Sequence, residues 1–153
     1  MLDLFPSFKF AEDQNYSMEM LYLHGILKGL QVGPLLGLVV GIPLAMYKKN
    51  IRILYNNISI STVLAPVATS VLIYNKMRNE PYIGYQDRAW RLQRNRNQNL
   101  VDYCSMAGAC LGAVVIGRRV GFLPGFGLGS VAGMAVFASG NRIGMFEKYK
   151  TVE

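Results

Sequence analysis

Few residues in this sequence are of a type and in a setting that could do chemistry. Asp102 is the only charge among the 21 residues from 97 to 117. An ionisable side chain inside an apolar stretch is a functional candidate, either as a relay carboxylate or as half of an ion pair. It stands near the start of a helical pattern, where the helix dipole favours an anion by a few tenths to about 1 kcal/mol. Arg94 and Arg96 precede it closely, which favours a structural pair of Asp102 with Arg96 over proton transport. His24 is the sole histidine. With no acid or nucleophile arranged around it, packing or an interfacial role is expected rather than catalysis. Cys104 and Cys110 lie six apart, about 9 Å along a helix and roughly a third of a turn around it. That separation does not suit a disulfide, and the pair has no partners for a metal. Gly125, Gly127 and Gly129 imitate a nucleotide loop, but no strand precedes them and Pro124 stands at their start. No catalytic group, metal site, cofactor or small-molecule substrate is therefore expected.

The elements around these residues read as membrane spans. Of 153 residues, 52% are hydrophobic and only 16% charged, against about a quarter charged in ordinary soluble domains. Charge-free windows cover 29–47, 53–75 and 120–141, with 97–117 the fourth. Roughly 20 apolar residues carry a helix across about 30 Å of hydrocarbon, so a single all-α domain over 1–153 is expected. Its four transmembrane helices would occupy about 17–47, 54–77, 99–117 and 120–140, with a polar loop at 78–98 and a tail at 141–153. Within "YSMEMLYLHGILKG" an amphipathic N-terminal extension is expected, with Met18, Leu21, Tyr22 and Ile26 on one stripe. The stretch "YQDRAWRLQRNRNQN" suits a basic surface helix with Tyr85, Trp90 and Leu92 as interfacial residues.

Glycines recur at every fourth position: Gly29, Gly33, Gly37 and Gly41 in the first window, Gly121, Gly125, Gly129 and Gly133 in the last, and Gly108 with Gly112 in the third. Spacing of four keeps residues on one stripe of a helix. In lipid, where apolar helices gain little from mutual burial, such bare stripes let backbones approach closely. The first and last helices would then face each other or face partners.

The net charge of +7 is concentrated between the windows. No aromatic stacking platform or recognisable module accompanies it, so nucleic acid is not an expected partner. Lys48, Lys49, Arg52, Arg118 and Arg119 fall at one membrane face if the helices alternate. They either anchor the topology or hold anionic head groups. Lys and Arg number 5 on that side and 11 on the side of the termini and the long loop, which by the positive-inside rule puts the termini in the inner compartment. Asp3, Glu12, Asp13 and Glu19 near the start argue against a cleaved presequence.

The ladder in the first window, the basic loop "KKNIR" and "RNRNQNLVDYCSMAGACLG" together resemble the mitochondrial Tim family of four-span inner-membrane proteins. Arg96, Asp102, Gly108 and Gly112 would fill the family's signature, with the spacing around the aspartate changed by a residue or two. The resemblance covers roughly 20–140. It implies the mitochondrial inner membrane with both termini in the intermembrane space. It also implies a non-catalytic accessory subunit of the membrane arm of respiratory complex I or its supercomplex, with other membrane subunits and phospholipid such as cardiolipin as partners. The alternative it offers is a channel subunit of a protein-import translocase, its lumen built from Ser59, Ser61, Thr62, Thr69, Ser70 and Ser105.

Overall fold

The computed structural model describes residues 5–146, and all of its regular structure is helical. A 3-10 turn at Ala11–Asp13 is followed by α1 (Ser17–Tyr47), α2 (Ile51–Met77), α3 (Tyr82–Arg94), α4 (Arg96–Val115), α5 (Gly117–Val120) and α6 (Phe122–Arg142). Residues 147–153 of the expected tail, and Asp3, lie outside the described residues.

Local chemistry sets the boundaries. The side chain of Asn50 accepts from the Arg52 amide and starts α2 two residues earlier than its apolar window suggests. Asn95 does the same for Gln98 and separates α3 from α4. These caps satisfy amide donors that a helix start leaves open. The basic surface helix thus exists, but it spans Tyr82–Arg94 and stops at Asn95.

α1 and α2 form one antiparallel hairpin, α4 and α6 a second, and α6 lies against both helices of the first. α3 crosses the end of the first hairpin. There Met20, Leu21, Met77 and Ala89 form a small apolar core, with Tyr85 and Leu92 packed against it. Its side chains also hold the chain's start. Tyr82 donates to the Asn15 carbonyl, Gln86 to Glu12, Trp90 to Phe8 and Gln93 to Phe5. Trp90 and Leu92 therefore have internal partners. The expected N-terminal stripe is different too: Leu21 is buried, but Met18 and Ile26 are exposed, and Met20 takes the inner position.

Three helices, α1, α2 and α6, are long and apolar enough to cross a membrane. α4 has the length, but Arg96, Asn97, Gln98, Asn99, Asp102 and Ser105 crowd its first half. Burial is inverted relative to a soluble domain. Val39, Val40, Val63, Leu64, Leu72 and Leu111 are exposed, whereas Gln31, Thr62, Asn99, Asp102, Ser105 and Ser130 are buried. Apolar solvent outside and satisfied polar groups inside would make this arrangement stable.

Candidate functional site: a buried ion pair between two hairpins

The polar interior centres on Asp102, which has no exposed surface. Its Oδ1 accepts from Lys28 Nζ at 2.8 Å, from Gln31 Nε2 at 2.8 Å and from Gln98 Nε2 at 3.2 Å. Lys28 also donates to Gln31 Oε1 at 2.7 Å, so one lysine, one glutamine and one carboxylate close a triangle between α1 and α4. His24 is one turn before Lys28, and Gln31 one turn after, so α1 supplies all three from a single stripe. Oδ2 of Asp102 and Nδ1 of His24 are buried with no hydrogen-bond partner among the described residues.

The expected pairing with Arg96 is replaced by Lys28 from the other hairpin. Six residues of helix put Arg96 about 9 Å below Asp102 along the axis and on a different face. Arg94, the other nearby cation, stacks its guanidinium 3.9 Å from the Trp90 ring centre and donates to Phe8 and Lys9 carbonyls. Asp102 is the seventh residue of α4, beyond the first turn where the dipole acts. The lysine therefore does the neutralising. A pair of this kind contributes little net energy when intact, because Asp102 has lost its water and Lys28, a quarter exposed, much of it. Removing one partner costs about 3–5 kcal/mol.

One turn further along α4, Ser105 Oγ and Ser130 Oγ of α6 are 2.7 Å apart. Ser130 in turn donates to the Leu30 carbonyl of α1 at 3.5 Å. That carbonyl lost its helical donor because Pro34, four residues on, has no N–H. A hydroxyl from a neighbouring helix thus stands in for the missing amide, as expected where water cannot.

The glycines divide by partner. A Cβ on Gly29 would lie 2.5 Å from Pro66 N, and one on Gly37 would lie 2.7 Å from Ile58 Cα; Gly33 faces Ser61 and Gly41 faces Leu54 and Asn57. The first ladder therefore meets α2. In the second hairpin, a Cβ on Gly112 would lie 2.6 Å from Gly129 Cα, and one on Gly108 would lie 2.9 Å from Gly133 Cα. Gly125 approaches Gly117 Cα to 2.6 Å by the same measure. The two ladders do not face each other; each closes its own hairpin.

Gly121 is not a packing position. It has φ +100 at the turn into α6, a conformation that glycine adopts without the cost a side chain brings. Glycines outside the expected set pack too, Gly117 against Gly125 and Gly140 against Phe146 among them. Gly25 extends the first ladder by one step, against Ile73, and Gly127 meets Ile58, Thr62 and Pro34 where the hairpins join. The step of four from Gly29 back to Gly25 was visible in the sequence. Gly127 was obscured because it sits two residues off its ladder, on nearly the opposite face.

The hydroxyls proposed for a lumen do not all share one groove: Ser61 and Thr69 line a hollow between α1 and α2, whereas Thr62 and Ser59 line hollows on the α6 side. Ser59, Ser61, Thr62 and Ser70 donate to carbonyls three or four residues back in α2 itself. Thr69 donates to Gly25 of α1, and Ser105 pairs with Ser130. The basic residues Lys48, Lys49, Arg52, Arg118 and Arg119 are all exposed and lie at the same end of the two hairpins. Cys104 and Cys110 are free thiols. Among the described residues no group of three histidines, cysteines or acids could hold a metal.

Among curated proteins, none matches the chain. A family model described as "Protein of unknown function (DUF1757)" matches residues 14–136, a span that takes in the first hairpin, the surface helix and all but the last six residues of the second hairpin. The chain belongs to that DUF1757 family.

Proposed function

We propose that the chain is a non-catalytic, multi-pass subunit of the mitochondrial inner membrane that stabilises the membrane arm of respiratory complex I. In this reading α4 is the fourth span. Its bare stripe lies along α6, so a bilayer crossed by α6 is crossed by α4 as well, and Asn99, Asp102 and Ser105 of α4 are buried in the interior while Arg96 and Asn97 stay exposed at its start.

The observation that carries the reading is the direction of the polar groups. Hydroxyls bond back to their own helix or across a helix contact, and Asp102, the one buried carboxylate among the described residues, is tied to Lys28. The outer faces of α1 and α2 are left as aliphatic surface. A closed interior with an apolar exterior suits a piece packed among other membrane subunits. The translocase reading needs the same hydroxyls on a shared aqueous path, and their back-bonding disfavours it within one copy. The respiratory assignment itself rests on the resemblance to the Tim family.

Native electrophoresis of mild-detergent extracts, probed for a tagged copy of this chain, tests the proposal. Co-migration with a respiratory complex is expected, together with loss of that complex's assembled form when the chain is depleted. Co-migration with protein-import machinery would overturn it.

A further inference from the structure

Where α6 leans on the first hairpin, the helices leave two adjoining hollows. One, of about 260 Å³, is lined by Leu30, Pro66, Phe122 and Phe126 among others. The next, of about 300 Å³, reaches up α2 to Ser59. Val63 and Leu123 line both, so the two form one apolar crevice between α2 and α6. Gly127 brings α6 close to Ile58, Thr62 and Pro34, and Phe122, Leu123 and Phe126 line the crevice beside that contact.

The crevice runs toward the end of the bundle that carries α5 and the α1–α2 turn. Arg52 stands seven residues, about 10 Å of helix rise, above Ser59. Arg119 is four residues before Leu123. Arg52, Arg118 and Arg119 are exposed, and among the described residues none of them takes part in a salt bridge. The described acids lie elsewhere: Glu12, Asp13 and Glu19 near the chain's start, Glu80 and Asp87 around α3, and Asp102 in the interior pair. Three arginines with no described acid in α5 or the α1–α2 turn therefore stand at the end of the bundle toward which the aliphatic trough runs.

We infer that this crevice seats an acyl chain of an anionic phospholipid whose phosphate is held by Arg52, Arg118 and Arg119. Arginine suits the task, since its planar fork pairs with phosphate oxygens in a bidentate manner. Basic residues beside an anionic leaflet also gain from its surface potential. The inference rests on the membrane-spanning reading, but not on the respiratory assignment.

The test uses the full chain in vesicles containing traces of phosphatidylglycerol or phosphatidylcholine with a photoactivatable acyl chain, followed by mapping of the labelled residues. Phosphatidylglycerol is expected to label Val63, Leu123 and Phe126 several-fold more than phosphatidylcholine does. The triple variant Arg52→Gln, Arg118→Gln, Arg119→Gln should lower that labelling to the phosphatidylcholine level. Val63→Trp, which fills the trough and leaves the arginines in place, should do the same. If the triple variant loses helical content, Val63→Trp alone decides. Equal labelling by both lipids, or labelling spread evenly over the apolar surface, would overturn the lipid seat and leave the membrane-spanning reading standing. A chain that does not enter vesicles would overturn both.

Discussion

The two hairpins use glycine differently. In α1–α2 the bare stripe belongs to one helix only: Gly29, Gly33, Gly37 and Gly41 face Pro66, Ala65, Ser61, Ile58 and Leu54. In α4–α6 both helices are bare, and Gly108, Gly112, Gly125, Gly129 and Gly133 meet glycine or other main chain on the partner. The one-sided seam meets main chain at Gly29, Gly33 and Gly37 but a flexible side-chain end, Leu54 Cδ1, at Gly41, whereas all five glycines of the two-sided seam meet main chain, which has nothing to move. The second hairpin is also the one with the polar helix, so close packing there compensates for the weak hydropathy of α4. The hairpins are then joined by the Lys28–Asp102 pair and the Ser105–Ser130–Leu30 chain.

The largest effect should come from cutting the link between the hairpins. Asp102→Ala should cost about 3–5 kcal/mol, because Lys28 keeps its charge and loses its partner. Denaturant titration in mixed micelles measures this, and Lys28→Met combined with Asp102→Leu should recover most of the loss. A single variant as stable as the parent would show that the pair is not what joins the two halves.

Within the seams, Gly129→Leu should cost about 3 kcal/mol, at the upper end for overpacking. Its Cβ would meet Gly108 and Gly112 main chain, which cannot yield. Gly37→Leu should cost about 2–3 kcal/mol, since Ser61 can rotate away but Ile58 Cα, 2.7 Å from the added Cβ, cannot. A loss at Gly41 as large as those at Gly37 and Gly129 would abolish the contrast between a seam with one yielding contact and a seam with none. Gly41→Ala should change stability by less than about 1 kcal/mol. The Leu54 Cδ1 that it would meet at 2.9 Å is the end of a flexible side chain.

Periodicity and charge gaps located the helices well, because both are local properties of the chain. α1 begins and ends where the pattern implied, and α2 and α4 differ by the few residues that Asn50 and Asn95 control. The partner of Asp102 was not legible. Arg96 is near in sequence, whereas Lys28 is 74 residues away, and only the meeting of α1 with α4 brings it close. The partners of the ladders were hidden for the same reason, since a bare stripe announces close approach without saying to what. Gly121 shows the converse limit: it keeps the ladder's spacing, yet its φ of +100 serves a turn.

Whether α4 crosses the bilayer is the point on which the account turns. In a Cys104→Ala, Cys110→Ala background, single cysteines at Lys49, Arg78 and Arg119 can be labelled with a membrane-impermeant thiol reagent in oriented vesicles. Four spans predict that positions 49 and 119 react from the same side and position 78 from the other. Reaction of 119 together with 78, opposite 49, would mean that α4 stays on one side, and would contradict the account.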